Sequence, residues 1–213
     1  MLGLVGATAF VLSHAQQRPV GCGSSPLPGG TSAQTLEFGG RVREFQLHVP
    51  ERYDPEELTA VVLYFHGWGG SGTVGWMRPD ADLNNYIVVA PTGVGRGNNP
   101  DGGANSWNGG GSTTSPGPAG PSCAPGSPEY CYDSCAARPE GCHPCDWTTC
   151  SDDFAFVDSL LDWLQANLCV DPARIFATGH SNGGLPVCQA TASPSRSSSA
   201  ANTISFVGML FNA

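Results

Sequence analysis

The sequence predicts an α/β fold in which a parallel β-sheet is flanked by helices. Two continuous apolar runs, residues 60–65 and 86–90, have the composition of strands that are apolar on both faces. Strands of that kind occur in sheets that helices cover on both sides. Apolar residues recur at helical spacing over residues 153–168, and a short strand follows at residues 174–178. This strand–helix–strand order predicts a parallel, right-handed crossover.

Size and charge limit what the chain is expected to do. Its 213 residues suffice for one domain with a hydrophobic core and are too few for two. The net charge is −9, and the nine basic residues, all arginines, form no cluster. Because phosphate neutralisation supplies most nucleic-acid affinity, no nucleic-acid partner is expected. The apolar runs are too short to span a bilayer, so no membrane partner is expected either.

The N-terminus has the pattern of an export signal. Residues 2–12 form an apolar run of suitable length, and the small residues Ser13 and Ala15 suit cleavage before Gln16. We therefore predict a signal peptide at residues 1–15 and a secreted protein. No basic residue precedes the run, so a misassigned start codon or a buried N-terminal element is the alternative.

Nine cysteines favour an oxidising compartment. Six fall between Cys123 and Cys150, inside a segment 122–150 that we interpret as a disulfide-stapled insertion. Half of a zinc site at Cys142-His143-Pro144-Cys145 is the alternative. No second tight cysteine pair stands at the spacing of a zinc finger, so we predict no metal and no cofactor.

Three further segments complete the predicted elements. Residues 43–49 alternate between apolar and polar side chains, which predicts a half-buried strand near a sheet edge. Residues 93–121 are rich in Gly and Pro and predict a long loop that leads into the insertion. Ser151 is the predicted N-cap of the helix at 153–168. The predicted apolar stripe of that helix is Phe154, Val157, Leu161, Leu164 and Leu168.

The strand at residues 174–178 leads directly into Gly179-His180-Ser181-Asn182-Gly183. This matches G-x-S-x-G, the turn that lifts a serine hydroxyl above the sheet of an α/β hydrolase. Glycines flank the serine because the sharp turn leaves no room for side chains. The backbone N–H of Asn182, at the start of the next helix, would face an oxyanion formed at Ser181. The motif therefore predicts a nucleophile at Ser181.

A second glycine-rich turn, His66-Gly67-Trp68-Gly69-Gly70, follows the strand at residues 60–65. In α/β hydrolases a turn at this place supplies the other oxyanion donor. The two turns occur in the chain order that the fold requires, which favours the α/β-hydrolase interpretation. An ordinary glycine-rich turn is the alternative.

Further motifs accompany the two turns. They are Gly21-Cys22-Gly23, Tyr64-Phe65 before the first turn, Ser106-Trp107-Asn108-Gly109-Gly110, Asp152-Asp153-Phe154, Cys169-Val170-Asp171-Pro172 and Ala177-Thr178 before the second turn. With these motifs the chain resembles the secreted poly(3-hydroxybutyrate) depolymerase and feruloyl esterase group over residues 20–110 and 150–184.

The resemblance implies an α/β-hydrolase fold and hydrolysis of carboxylic esters without a cofactor. It implies Ser181 as nucleophile, with Asn182 and Trp68 as backbone oxyanion donors and Gly67 as the alternative to Trp68. It also implies an ester substrate, either a polyester or a plant cell-wall feruloyl ester, and no residue decides between the two. Two candidate substrate-binding residues are Trp107, on a loop expected near the acyl pocket, and His180, beside the nucleophile.

The sequence after Ser181 lacks the acid and the histidine of a serine esterase's catalytic triad. In this fold the acid and the histidine of the triad follow the serine, but no Asp, Glu or His occurs after Ser181. The fold is therefore predicted to be incomplete at the C-terminus, with a partial esterase domain at 16–190 and an atypical Ser/Ala-rich tail at 191–213. The strand at 174–178 would then lie at an unprotected edge. We expect absent or impaired activity, and a non-catalytic extracellular binding protein on a partial hydrolase scaffold is the alternative.

Overall fold

The computed structural model describes residues 18–23, 27–95, 104–108, 132, 134 and 149–184, and the backbone of 204–206. Its elements form one six-stranded sheet with two helices among the described residues. In chain order they are β1 (Gly30–Phe38), β2 (Arg41–Val49), β3 (Thr59–Phe65), α1 (Arg78–Asn84), β4 (Ile87–Pro91), α2 (Asp153–Asn167), β5 (Val170–Gly179) and β6 (Ile204–Phe206).

The sheet is mixed, with the strand order β1-β2-β4-β3-β5-β6. Strands β4, β3, β5 and β6 are parallel to one another, as the sequence predicts, whereas β1 and β2 pair antiparallel with their neighbours. The tight turn Gly39-Gly40, with both φ angles positive at 60° and 73°, explains the antiparallel β1–β2 pair, because two-residue hairpins need such backbone angles. This sheet, with a G-x-S-x-G turn at the end of β5, confirms the α/β-hydrolase fold.

Two hydrophobic clusters cover the opposite faces of the sheet. Side chains alternate between faces along a strand, so Ile87 and Val89 of β4 belong to one cluster and Val88 and Ala90 to the other. Helix α2 packs on the first face, and the segment that leads into α1 packs on the second. Among the described residues, no helix is long and apolar enough to cross a membrane.

Strand β2 lies near a sheet edge, as predicted, but is more deeply buried than expected. It is second in the sheet, next to the edge strand β1, which the sequence did not reveal and which pairs along its whole length. Phe45 and Leu47 point into the core as expected, but Arg43 and His48 are buried as well, at 4% and 3% exposure. The alternating pattern therefore underestimates how closely both faces of β2 are covered.

Helix α2 buries the predicted stripe at Val157, Leu161, Leu164 and Leu168, and departs from it only at Phe154. Its buried residues are Asp153, Phe156, Val157, Leu160, Leu161 and Leu164. Phe154, which was predicted to be buried, is partly exposed, and Asp153 takes the buried place. The N-cap is Asp152 rather than Ser151, because the Asp152 carboxylate accepts the Ala155 N–H at 3.0 Å. Asp153 is buried at the first turn of the helix because it forms an ion pair with Arg43.

Strand β5 is longer than predicted and is not the edge of the sheet. It begins at Val170 and pairs with β3 through an irregularity, since Thr59 faces Val170 while Val61 faces Ile175. Strand β6 then pairs in parallel with the part of β5 from Ile175 to Ala177, so the expectation of an unprotected edge at β5 is wrong.

The predicted signal peptide at 1–15 lies outside the described residues, as do most of the loop 93–121, the insertion 122–150 and the tail 191–213. The prediction of disulfides is confirmed by a bond between Cys22 and Cys169. Cys150 is disulfide-bonded too.

Candidate active site

Ser181 stands at the top of a strained turn. It follows β5 directly, begins a short 3-10 turn at Ser181–Gly183 and is exposed. Its φ angle is +51°, a left-handed conformation that costs a non-glycine residue about 1–3 kcal/mol. Such strain persists only where the surroundings fix the backbone, so the fold holds this serine hydroxyl at the surface.

The glycines of the motif are required by close backbone contacts. A Cβ atom on Gly179 would lie 2.2 Å from the Gly183 carbonyl oxygen, and one on Gly183 would lie 2.2 Å from the Phe65 carbonyl oxygen. Side-chain carbons do not approach backbone atoms so closely, and the steric reason given for these glycines is thus confirmed. The His180 N–H also donates to the Phe65 carbonyl at 3.0 Å, which fastens the turn to the end of β3.

The upstream glycine turn lies directly beside the serine. A Cβ atom on Gly67 would be 3.3 Å from the Cβ of Ser181 and 3.0 Å from Cδ2 of His180. The structure therefore brings together the two turns that the sequence singled out, although Ser181 lies 113 positions after Trp68 in the chain. Trp68 itself is partly buried within the upstream turn.

Hydrogen bonds fix the peptide planes of both turns. The Gly67 carbonyl accepts from Nδ1 of His66 at 2.6 Å and from the Gly70 N–H at 3.0 Å. In the second turn the Gly184 N–H donates to the carbonyl of Ser181. Because a trans peptide is planar and its N–H points opposite to its C=O, these bonds also fix the N–H directions of Trp68 and Asn182.

His66 is a buried, neutral support of the upstream turn. Its Nε2 accepts the Gly93 N–H at 2.9 Å, so the ring proton must sit on Nδ1, which donates to Gly67. Burial lowers the pKa of His66 below 6.5; the charge of Arg43 acts in the same direction, against the opposing effect of the Gly67 hydrogen bond. With both ring nitrogens in use, His66 cannot serve as a base for Ser181.

A segment at residues 104–108, which we call the brace, connects the two turns. The Ser106 hydroxyl and the Trp107 N–H both donate to Oδ1 of Asn182 at 3.1 Å. Asn182 is only 3% exposed, so these are buried bonds at the base of the nucleophile turn. The sequence pointed only to the backbone of Asn182; this second role of its side chain depends on a contact across 76 residues.

Trp107 lies beneath the site rather than at its surface. Its indole is fully buried, packs edge-on against Phe65 at 5.2 Å between ring centroids and donates from Nε1 to the His66 carbonyl at 2.9 Å. A side chain with no exposed surface cannot touch a molecule at Ser181 unless it moves. The position of Trp107 therefore does not support the expected contact with substrate. Its hydrogen bond to the His66 carbonyl instead supports the upstream turn.

A buried ion pair anchors the brace to the core. Nη2 of Arg43 lies 2.8 Å from Oδ1 of Asp153, and both side chains are at most 5% exposed. The other oxygen, Oδ2 of Asp153, accepts the Asn108 N–H at 2.7 Å. Burial raises the pKa of Asp153 while the Arg43 charge opposes that rise. Arg43 also lies 3.9 Å above the ring of Phe156. The requirement to pair with Arg43 explains why Asp153 takes the buried position on α2.

His48 is not available as a base for Ser181. Both ring nitrogens of His48 are engaged, Nδ1 with the Thr31 hydroxyl at 3.1 Å and Nε2 with Oδ1 of Asp82 at 2.9 Å. His180 is exposed beside Ser181, which is compatible with its predicted contact with substrate and does not test it.

Comparisons with known proteins give a partial match. No protein-family model matches the sequence. The chain is 28% identical over 182 residues to feruloyl esterase C from Emericella nidulans, a match that covers 85% of this chain and 50% of that protein. The chain thus spans about half the length of this curated relative.

Two solved structures are similar to the chain. One is the poly(3-hydroxybutyrate) depolymerase LpqC from Bordetella parapertussis, with 20% identity and a TM-score of 0.47 over 78% of this chain and 48% of that one. The other is a thermostable esterase, with 20% identity and a TM-score of 0.45 over 73% of this chain and 36% of that one.

Proposed function

We propose that the chain, which is 28% identical over 182 residues to a feruloyl esterase, is a serine carboxylic-ester hydrolase with Ser181 as its nucleophile. One observation carries the proposal: Ser181 is exposed at a positive φ angle directly beside the glycine turn at Gly67. The fixed peptide planes of the two turns support backbone N–H groups as donors to a charge formed at that point.

In the proposed reaction, Oγ of Ser181 attacks the ester carbonyl carbon and its proton passes to a base. The carbonyl oxygen becomes an oxyanion, which the N–H groups of Asn182 and Trp68 stabilise, with the Gly67 N–H as the alternative to Trp68. The bond to the alcohol oxygen then breaks, the alcohol leaves with a proton, and water hydrolyses the acyl-enzyme.

The proposal assigns no base within this sequence. No Asp, Glu or His follows Ser181 in it, and both ring nitrogens of His66 and of His48 are engaged. A serine hydroxyl without an adjacent base is a weak nucleophile, so we propose low reactivity for this chain. Oxyanion stabilisation alone leaves roughly 10³–10⁴-fold catalysis over water in serine hydrolases that have lost their triad.

We further propose that the protein is secreted and that its substrate is a polyester or a feruloyl ester of the plant cell wall. The Cys22–Cys169 disulfide supports an oxidising compartment. The relative from Emericella nidulans is a feruloyl esterase, which favours the feruloyl ester. The polyester is the second candidate and follows from the group that the motifs resemble.

Covalent labelling tests the proposed nucleophile. A fluorophosphonate probe forms a bond between Oγ of Ser181 and phosphorus while fluoride leaves, and intact-mass analysis counts the adduct. We expect a single adduct that Ser181→Ala abolishes, formed at least about a thousandfold more slowly than in a serine esterase with a complete triad.

The matched control is a serine of the brace. Ser106→Ala removes a hydroxyl that is fully buried, so the adduct should stay on Ser181 in that variant. Folded wild-type protein that gains no more adduct than Ser181→Ala would contradict the hydrolase proposal. It is the result that a non-catalytic binding protein would give.

A further inference from the structure

The side chain of Trp68 in the upstream turn makes a contact that the proposed function does not use. Nε1 of Trp68 donates to the hydroxyl of Tyr132 at 2.9 Å, and that hydroxyl donates to the Ala104 carbonyl at 2.5 Å. Tyr132 belongs to the segment 122–150, which the sequence predicts as an insertion. Its side chain is only 1% exposed, and both bonds are partly buried.

We propose that Tyr132 is a positioning residue that sets the conformation of the upstream turn relative to Ser181. The proposal rests on the proposed function, since the turn matters only if it supplies an oxyanion donor. Tyr132 would act through Trp68 and would touch neither the ester nor the reacting atoms.

The contacts around the turn show why the Tyr132 hydroxyl carries this role. On the brace side, the Gly69 N–H donates to the Asn105 carbonyl and Nδ2 of Asn105 donates to the Gly70 carbonyl, both at 2.8 Å. These bonds hold the far end of the turn, after Trp68. The Tyr132 hydroxyl ties the Trp68 side chain itself to the brace, at Ala104.

The hydroxyl also stabilises an unusual backbone at Ala104. This residue has a φ angle of +57°, which is unfavourable for a residue with a Cβ atom. Donation from Tyr132 fixes the Ala104 carbonyl and thereby the start of the brace. A phenylalanine would fill the same space but would leave the indole N–H and this carbonyl without their shared partner.

The test uses Tyr132→Phe and a matched control, Tyr53→Phe. The hydroxyl of Tyr53 accepts the Cys169 N–H at 2.7 Å, so its removal also breaks a hydrogen bond to an N–H donor, but at the start of β5. For each variant, the rate of fluorophosphonate labelling is measured against probe concentration. This separates the maximal rate constant from the probe concentration at half saturation.

We expect Tyr132→Phe to lower the maximal rate constant about tenfold and to leave the half-saturating concentration unchanged, since oxyanion donors act on the transition state. Tyr53→Phe should retain the wild-type rate constant. Trp68→Phe should cause part of this loss, since it breaks only the bond to Tyr132, and the double variant should lose no more than Tyr132→Phe, which already lacks that bond. Wild-type labelling kinetics in Tyr132→Phe would overturn the proposal.

A second measurement keeps the two proposals distinguishable. If the wild type labels no faster than Ser181→Ala, the proposed function fails, and hydrogen exchange then decides the positioning role. Faster exchange of the Gly69 N–H in Tyr132→Phe than in Tyr53→Phe supports that role. Equal exchange in the two variants overturns it.

Discussion

At the scale of the residue, His66 shows how the site depends on one buried neutral ring. It sits 5.1 Å from the Trp107 ring and uses both nitrogens to hold backbone groups, the Gly67 carbonyl and the Gly93 N–H. Protonation of Nε2 would set a ring N–H against the N–H of Gly93. The upstream turn therefore requires the neutral ring.

This requirement predicts a pH dependence of stability. The pKa of His66 is lowered in the folded state, so the unfolded chain binds more protons as the pH falls below about 6.5. The stabilisation that the neutral His66 ring gives to the folded state is fully present above pH 6.5. It is lost as the pH falls from there toward the lowered pKa of His66 in the folded protein. Urea unfolding at pH 8, 7, 6 and 5 should show the wild type losing stability relative to His66→Gln as the pH falls.

The variant is informative because it does not titrate. Glutamine can place an acceptor near the position of Nε2, and other ionisable groups contribute equally to both proteins, so the difference between them isolates His66. A stability difference that stays constant from pH 8 to pH 5 would contradict this account of the buried ring.

At the scale of the element, the nucleophile turn offers two adjacent glycines with opposite surroundings. A Cβ atom at position 183 would lie 2.2 Å from the Phe65 carbonyl oxygen, whereas one at position 184 would find its nearest neighbour 3.9 Å away, at the Gly179 carbonyl oxygen. Gly184 has a φ angle of −73°, which any residue adopts.

We therefore expect Gly183→Ala to be destabilising by about 1–3 kcal/mol or more and to displace the turn from β3. Gly184→Ala should stay within about 0.5 kcal/mol of the wild type. Thermal unfolding of the two variants measures the contrast. Equal stability of the variants would show that the turn does not pack against β3 as described.

The elements that the sequence revealed are those with a strong local pattern. Strands β3 and β4 are continuously apolar because both of their faces are covered, and this is legible in the residues alone. Helix α1 was missed because seven residues with only Ala81 buried carry no apolar period. Strand β1 was missed because Thr, Ser and Gln interrupt its alternation. The apolar face of α2 was predicted correctly except at its first position, where Asp153 rather than Phe154 is buried.

At the scale of the whole molecule, the sequence predicted which turns meet but not what holds them. The glycine motifs located both turns because close backbone contacts allow no side chain there. The supporting contacts join residues far apart in the chain, such as Arg43 with Asp153, 110 positions on, and Ser106 with Asn182, 76 positions on. No local pattern encodes such partners, so the brace and the ion pair emerge only from the fold.

Among the described contacts, the one that joins the residues farthest apart in the chain is a disulfide bond. The Cys22–Cys169 disulfide spans 147 positions and joins the N-terminal segment to the start of β5. Beside it, the Gly21 N–H donates to the Gln165 carbonyl at 2.8 Å, and a Cβ atom on Gly21 would lie 2.5 Å from the Leu168 N. The segment is thus docked on the end of α2, so the bond closes nearly the whole described chain into one loop.

Removal of this bond should lower global stability without disturbing the site. Closing so long a loop restricts the unfolded chain by up to roughly 5 kcal/mol in the chain-entropy model, and measured losses are typically about 2–5 kcal/mol. We expect Cys22→Ala, Cys169→Ala and the double variant to lose nearly the same free energy of unfolding, because each breaks the one bond. At temperatures where the variants stay folded, labelling of Ser181 should match the wild type. If the double variant lost twice as much as either single variant, side-chain burial rather than loop closure would be the source of the stability.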